Sequence, residues 1–398
     1  MNSINALIKR QAPEHSLEQV FYLDEAIYRH DLENIFMSDW LYVCHDSQVA
    51  RAGDCYTWEV ADESVIVARD EELKLHAFAN VCRHRGSRIC EAGQSSHKRL
   101  VCPYHAWTYG LNGQLLNARQ MDESFDKSAS GLKKLYLEEF CGLIFISFSE
   151  NPPSFALLRE ELSEPLKVFD IKNTKVAHHE VHPTHANWKL VLENFNECYH
   201  CGPAHKEFSA SHSLMLEKDK QRVFDELIAK RAPAAGISAE PVGIMQIDEK
   251  TKANAPYYYD RYALFKGYLT GSEDGQPVAP LLGEVSGYDG GASNVQLGNL
   301  TYLLIYADHV VLYRFTPRSV NLTDAELIWF VRSDADLEND VDIERMIWLW
   351  NVTTIADKDI IERNQKGVQS RYYRPGPYAP METYTINFIK WYLNTFSK

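Results

Sequence analysis

Four residues constrain this chain more than any others. Cys82 and His84 form one short pair and Cys102 and His105 another, with seventeen residues between the pairs. Each pair follows an apolar, β-type run (Leu73–Asn80 and Leu100–Cys102), so both are expected on loops at strand ends. Gly86 and Pro103 permit the tight turns such loops need. Two chemistries can use this set. The four donors could hold a structural zinc. Alternatively, two thiolates hold one iron of a 2Fe–2S cluster and two neutral imidazoles hold the other, which raises the reduction potential. Cys precedes His in both pairs, unlike zinc fingers, where cysteine pairs with cysteine; this order favours the cluster.

Around these loops the texture is β. Leu41–Cys44, Cys55–Val60 and Ser64–Ala68 are short apolar runs split by polar and Gly segments, and the pattern continues to Leu143–Phe148. Asn151-Pro152-Pro153 then punctuates the chain. With 398 residues, two or three domains are expected, and 45% hydrophobic residues supply their cores. The reading is α+β: a helical segment over 1–40 packing on the last domain, an all-β domain over 41–152, and an α+β domain over 153–398. Within that last domain, Trp188–His200, Val341–Gly367 and Thr385–Leu393 read as helices, and Val295–Ile305, Val310–Thr316 and Ala325–Val331 as strands. Residues 228–295 read as irregular, and Ser16 as a helix cap. A net charge of −14 argues against nucleic acid or an anionic membrane as main partner. No run of ~18 apolar residues appears, and the N-terminus lacks the apolar core of a secretory signal. A soluble, cytoplasmic protein is therefore expected, and its eight cysteines are not expected to form a disulfide framework.

A second constellation lies in Asn187–His205. Glu197 and His200 share a helix face at ~100° per residue. His205 would stand ~140° from His200 on an unbroken helix, and Gly202-Pro203 is expected to end the helix between them. Two imidazoles and one carboxylate, with positions left open, form the facial triad of non-haem Fe(II) sites.

The stretches CRHRG and CPYHAWTY, together with this second motif, resemble the Rieske non-haem iron oxygenases (alpha, or oxygenase, subunits) over nearly the whole chain. The resemblance implies a Rieske 2Fe–2S domain with ligands Cys82, His84, Cys102 and His105, and a catalytic domain of helix-grip (START-like) type with an antiparallel sheet. It implies a mononuclear Fe(II) held by His200, His205 and a downstream aspartate. Within Ala356–Glu362 the matching position is Asp357, with Asp359 its rival and an ordinary helix charge the plain reading of either. Glu197 matches the family's acid that links a Rieske histidine of one subunit to an iron-ligating histidine of its neighbour, which implies a homotrimer. Aromatic-ring dioxygenases place Asp there, after a segment one residue longer. The departure, Glu197-Cys198-Tyr199-His200-Cys201, resembles the subgroup acting on quaternary ammonium compounds (glycine betaine, stachydrine, carnitine).

That subgroup implies hydroxylation of an N-methyl group and release of formaldehyde. Electrons would come from a separate flavin/ferredoxin-type, NAD(P)H-dependent reductase, since this chain carries no Gly-rich dinucleotide fingerprint. The alternative is hydroxylation or dioxygenation of an aromatic acid by the same machinery. A bare electron carrier is opposed by His200, His205 and Asp357. Substrate contacts are sought at Asn194, Tyr302 and Tyr306, and also at Tyr257, Tyr258, Tyr259, Tyr262 and Phe265, because a quaternary ammonium is recognised by aromatic faces and carboxylates. Against this, most aromatic residues simply pack in cores. His178, His179, His182 and His185 read as surface or structural. Cys198 and Cys201 have no activating partner that sequence can assign.

Overall fold

The structure, a computed structural model, describes residues 2–214, 216, 218–243 and 255–397. It divides into two compact units, Met37–Pro152 and the combination of Met1–Phe36 with Pro153–Lys398.

The unit Met37–Pro152 is built of short antiparallel strands. β1 (Leu41–His45), β9 (Tyr136–Phe140) and β10 (Leu143–Ser147) form one sheet in the order β1-β10-β9. β2 (Asp54–Val60), β3 (Glu63–Arg69), β4 (Leu75–Ala79) and β5 (Gly93–Ser96) form a second in the order β4-β3-β2-β5. β6 (Leu100–Val101), β7 (Thr108–Tyr109) and β8 (Leu115–Asn117) form a third. Cys82 follows β4, and Cys102 leads the turn between β6 and β7. Both cysteines sit in a core with Phe78, Leu100, Trp107, Tyr109 and Leu115.

The other unit is α+β. Its N-terminal part carries α1 (Asn2–Arg10), α2 (Val20–Leu23) and α3 (Glu25–Asp31). From Pro153 onward come α4 (Ala156–Lys167), α5 (Trp188–Phe195), α6 (Cys201–Ala204), α7 (Lys206–Ser211), α8 (Lys218–Arg231), α9 (Ile343–Val368) and α10 (Thr383–Asn394). A seven-stranded antiparallel sheet joins them: β11 (Thr174–Thr184), β12 (Val242–Gly243), β13 (Tyr257–Ala263), β14 (Gly291–Leu297), β15 (Thr301–Ile305), β16 (Val310–Ser319) and β17 (Leu322–Arg332), in the order β11-β17-β16-β15-β14-β13-β12. The long helix α9 buries Met346, Leu349, Trp350 and Thr353, a helical repeat that makes one packed face. No described helix is long and apolar enough to cross a membrane.

Several local expectations need correction. Val295–Ile305 is not one strand but the hairpin β14–β15, which reverses at Gly298 (φ +72°), a conformation glycine adopts without a Cβ clash. Residues 228–295 are not simply irregular: they hold the end of α8, β12, β13 and the start of β14, while 244–254 lie outside the described residues. Ser16 caps no helix; its hydroxyl meets that of Tyr373 at 3.0 Å, and Asp24 caps α3 instead, accepting from the Ala26 and Ile27 amides. The helix from Trp188 stops at Phe195, not at Gly202-Pro203. The Glu197 carboxylate accepts hydrogen bonds from the Tyr199 and His200 amides, a local alternative to helical bonding. Gly202-Pro203 instead lies within the short α6, where a proline needs no amide partner.

Candidate metal centres

The two Cys/His loops are tight turns. Cys82 receives the Gly86 amide at 3.0 Å, with Gly86 left-handed, and Cys102 receives the Ala106 amide at 3.0 Å. Both thiols are buried, while both imidazoles are exposed with ring centroids 4.6 Å apart. Trp107 stacks on His84 at 4.9 Å and Tyr104 on His105 at 4.0 Å, which fixes the ring planes. The Tyr109 hydroxyl lies 3.3 Å from the Cys82 sulfur and accepts the Arg83 amide at 3.0 Å, leaving its own proton free for the sulfur. Burial opposes charge on Cys102, yet the Tyr104 and His105 amides pull its pKa below the usual thiol value. Buried sulfurs served by N–H and O–H donors, with two adjacent imidazoles at the surface, fit a 2Fe–2S group.

In the other unit, the break after Phe195 brings three side chains to one point. His200 Nε2 lies 3.1 Å from Asp357 Oδ1, and His205 Nε2 lies 3.5 Å from the same oxygen. The two imidazole rings are 4.9 Å apart. His205 is buried, yet neither of its ring nitrogens makes a hydrogen bond. Such an orphaned imidazole is costly unless something else binds it. His200 differs: burial lowers its pKa, but Asp357 and Glu197 outweigh burial and lift it to about 9. Two acids thus favour positive charge at this point. Glu197 Oε1 is hydrogen-bonded to His200 Nδ1, which turns Nε2 towards Asp357. Asn194 Nδ2 lies 3.3 Å from the same Nε2. These residues fit a metal dication with nitrogen and oxygen ligands. Asp359 instead pairs with Arg363 at 2.7 Å on the exposed side of α9.

This point opens on a cavity of about 280 Å³. Asn194 and Tyr302 line it. Tyr306 does not: it is fully buried, its hydroxyl held by His212 Nε2 at 2.8 Å and by the Trp350 indole N–H at 3.1 Å. Tyr258 and Tyr262 line the cavity and Tyr259 does not, as strand alternation requires; Tyr257 and Phe265 are also outside the lining. Sequence reasoning missed Asp260, between Tyr258 and Tyr262 on that face, and Trp350 on α9. Nothing in the sequence singles out Asp260 until β13 is known to turn alternate residues into a cavity. The four histidines of 178–185 belong to β11 and its exit: His178 pairs with Glu180 at 3.1 Å and His179 with Glu326 at 3.4 Å. Unforeseen as well, a disulfide joins Cys198 and Cys201, and the other six cysteines are not disulfide-bonded.

Residues 39–137 match the model of the Rieske [2Fe-2S] domain, and residues 171–397 that of the ring hydroxylating alpha subunit (catalytic domain). Over 395 residues the chain is 33% identical to the glycine betaine monooxygenase oxygenase subunit of Chromohalobacter salexigens, covering 98% of this chain and 87% of that protein. Over 202 residues it is 40% identical to the carnitine monooxygenase oxygenase subunit of Acinetobacter pittii, covering 48% of this chain and 53% of that one. The fold matches the solved structure of a quaternary ammonium Rieske monooxygenase with a TM-score of 0.71 at 24% identity, covering 96% and 95% of the two chains. It also matches naphthalene 1,2-dioxygenase, with a TM-score of 0.70 at 22% identity over 96% and 92%. The fold alone therefore selects no substrate.

Proposed function

We infer the reaction from one premise: the chain belongs to the Rieske non-haem iron oxygenases, as an oxygenase (alpha) subunit. Its cofactors are a Rieske 2Fe–2S cluster and a mononuclear non-haem iron. We propose that it hydroxylates an N-methyl group of a quaternary ammonium compound of the glycine betaine or stachydrine type, using dioxygen and electrons from a separate NAD(P)H-dependent reductase. It would do so as a cytoplasmic homotrimer.

One observation carries this reading. Among the described residues, the cavity lining offers three carboxylates (Glu197, Asp260 and Asp357), several aromatic faces, and no lysine or arginine. A quaternary nitrogen has no N–H to donate, so aromatic faces and carboxylates are what can recognise it. An aromatic acid would bring a negative charge with no cation of its own, whereas a betaine brings its carboxylate together with a fixed positive nitrogen that the lining carboxylates can meet. The named relatives that act on glycine betaine and carnitine point the same way.

In this reading Cys82, His84, Cys102 and His105 hold the cluster, and His200, His205 and Asp357 hold the iron. When bound, the cluster supplies single electrons and the iron supplies dioxygen activation. The chain's own work is placement. Glu197 fixes the His200 tautomer through Nδ1 and keeps Nε2 towards the metal position. It would also serve as the bridge to a Rieske histidine of the neighbouring subunit, which requires Oε2 to exchange the Tyr199 or His200 amide for that imidazole. Asn194, Tyr302 and Trp350 shape the cavity against the methyl group. Hydroxylated there, the substrate carries O and N on one carbon; its C–N bond breaks as the hydroxyl proton leaves, giving formaldehyde and the demethylated amine.

The test is coupled oxygen uptake and formaldehyde release by the anaerobically purified protein with a suitable reductase. Glycine betaine or stachydrine should give one formaldehyde per dioxygen. Turnover of benzoate-type acids with none of the betaines would overturn the substrate class.

A further inference from the structure

The five residues Glu197–Cys201 hold more chemistry than the proposed reaction uses. The Cys198–Cys201 disulfide spans Tyr199 and His200, with 4.9 Å between its Cα atoms. Cys201 is 5% exposed, and both cysteines line the cavity. Cys201 Sγ, a His200 ring nitrogen and a His205 ring nitrogen all lie within 4.8 Å of one another. The sulfur therefore stands among the metal-binding atoms, withheld from them by its bond to Cys198.

We propose that Cys198 and Cys201 are a reversible dithiol–disulfide pair, and that its reduction delivers the Cys201 thiolate to the mononuclear iron site as an additional ligand. This rests on the reading of His200 and His205 as iron ligands. A disulfide sulfur is a poor donor, whereas a thiolate is a strong, soft, anionic one. Two imidazoles and one carboxylate leave open positions for dioxygen and substrate, and a thiolate would occupy one of them. The oxidised pair is thus the form in which the site stays open; the reduced pair closes it. The Cys-x-x-Cys spacing keeps each thiol within reach of the other, as in redox-active pairs.

The chemistry balances with hydrogen peroxide as oxidant, the two-electron reduction product of dioxygen. Two S–H bonds and the O–O bond break, the S–S bond forms, two electrons pass from sulfur to peroxide, and the two thiol protons leave in two waters. In the reverse direction a dithiol reductant attacks the disulfide and ends as a disulfide itself; one of its two protons goes to Cys198, and the other is released to solvent as Cys201 binds the metal as a thiolate.

The experiment uses the full chain with its cluster, loaded with cobalt(II) in place of the mononuclear iron, so that cobalt-edge X-ray absorption sees that site alone. After peroxide treatment, alkylation should leave the peptide containing Cys198 and Cys201 unmodified, and cobalt should show nitrogen and oxygen neighbours only. After dithiol treatment, that peptide should gain two alkyl groups and cobalt should gain one sulfur neighbour. Cys198→Ser, kept from peroxide, should show the sulfur both before and after dithiol treatment, and Cys201→Ser under no condition. A peptide that is fully alkylated after peroxide, or a reduced protein and Cys198→Ser without a cobalt–sulfur contact, would overturn the proposal. His205→Ala separates the two ideas. Loss of an imidazole from the cobalt shell upholds the metal site and leaves the sulfur result to decide, whereas an unchanged shell overturns the site and the proposal with it.

Discussion

A carboxylate set among aromatic rings must be offset by something, and Asp260 is only half offset. The Tyr258 hydroxyl donates to its Oδ2 at 2.9 Å, while Oδ1 is buried and closes no hydrogen bond. Burial lifts its pKa to about 6, against the pull of Tyr258 and Asn294. In the proposed function, a bound quaternary ammonium would supply the charge partner that Tyr258 and Asn294 do not. Asp260→Asn should therefore raise KM for the quaternary ammonium substrate by about tenfold or more, since truncating one side of a desolvated charge pair costs several kcal/mol. The sign with pH follows from the charge. As pH falls through about 6 the carboxyl takes a proton, so KM should climb in the wild type and stay level in Asp260→Asn. Steady-state kinetics between pH 5 and 8 check this, and a wild-type KM that ignores pH would remove Asp260 from recognition. Cys82, His84, Cys102, His105, His200 and His205 could be read from sequence as proposed metal ligands because their types and spacings are chemically rare, and Asp357 only through the family resemblance. Asp260 could not, because one acid between tyrosines is remarkable only once β13 is known to turn alternate residues into a cavity. Tyr306 fails for the converse reason: its strand is legible, but the buried His212 and Trp350 that claim its hydroxyl come from distant sequence.

At the scale of elements, strands and long helices follow from apolar pattern, and what escapes is why a helix stops and what its buried face contains. The helix α5 reads as amphipathic, but it buries Lys189 and Glu193 one turn apart. Lys189 meets Asp31 at a fully buried ion pair, and Asp31 also receives the hydroxyl of Tyr392 at 2.9 Å. Glu193 accepts from Tyr22 at 2.8 Å and from Tyr378 at 2.9 Å. This polar seam ties α5 to residues from both chain ends, a set no local pattern announces. Burial raises the Glu193 pKa to about 7 despite those two hydroxyls. The raised value makes Glu193 bind a proton more tightly folded than unfolded. Its contribution is thus fully present below the unfolded pKa near 4.5 and is lost as pH rises through 7. The loss approaches roughly 3 kcal/mol at most, at 1.36 kcal/mol per pKa unit. Glu193→Gln keeps an acceptor for the hydroxyls and removes the titration. Denaturant unfolding between pH 5 and 8 should show wild-type stability falling with pH and a flatter line for the variant; parallel lines would contradict the assignment.

At the scale of the molecule, the residues proposed to hold the cluster and those proposed to hold the iron belong to different units, so each centre should be removable without the other. His200→Ala should keep the visible and EPR spectra of the cluster while turnover disappears. Cys82→Ser should lose the cluster signal while iron still binds. These two variants also test the trimer that the family resemblance implies. If electrons cross from the cluster of one subunit to the iron of the next, each variant alone is inactive, but a mixed assembly contains interfaces where an intact cluster from a His200→Ala chain faces an intact iron site in a Cys82→Ser chain. Each mixed trimer, of either composition, holds one such interface among its three, so once unmixed trimers are removed the expected recovery is about a third of wild type. The variants should therefore be co-expressed under separate tags, doubly purified, and assayed with reductase and substrate. If electrons instead pass within one chain, no mixture can regain activity, because every chain lacks one of its own centres. Recovery also requires Glu197 on the iron-bearing chain if that residue is the bridge. Adding Glu197→Gln to the Cys82→Ser chain should then abolish the recovery with its iron still bound, whereas the same change on the His200→Ala chain should leave it intact. Equal loss from either position would show that Glu197 serves the assembly and not the electron path.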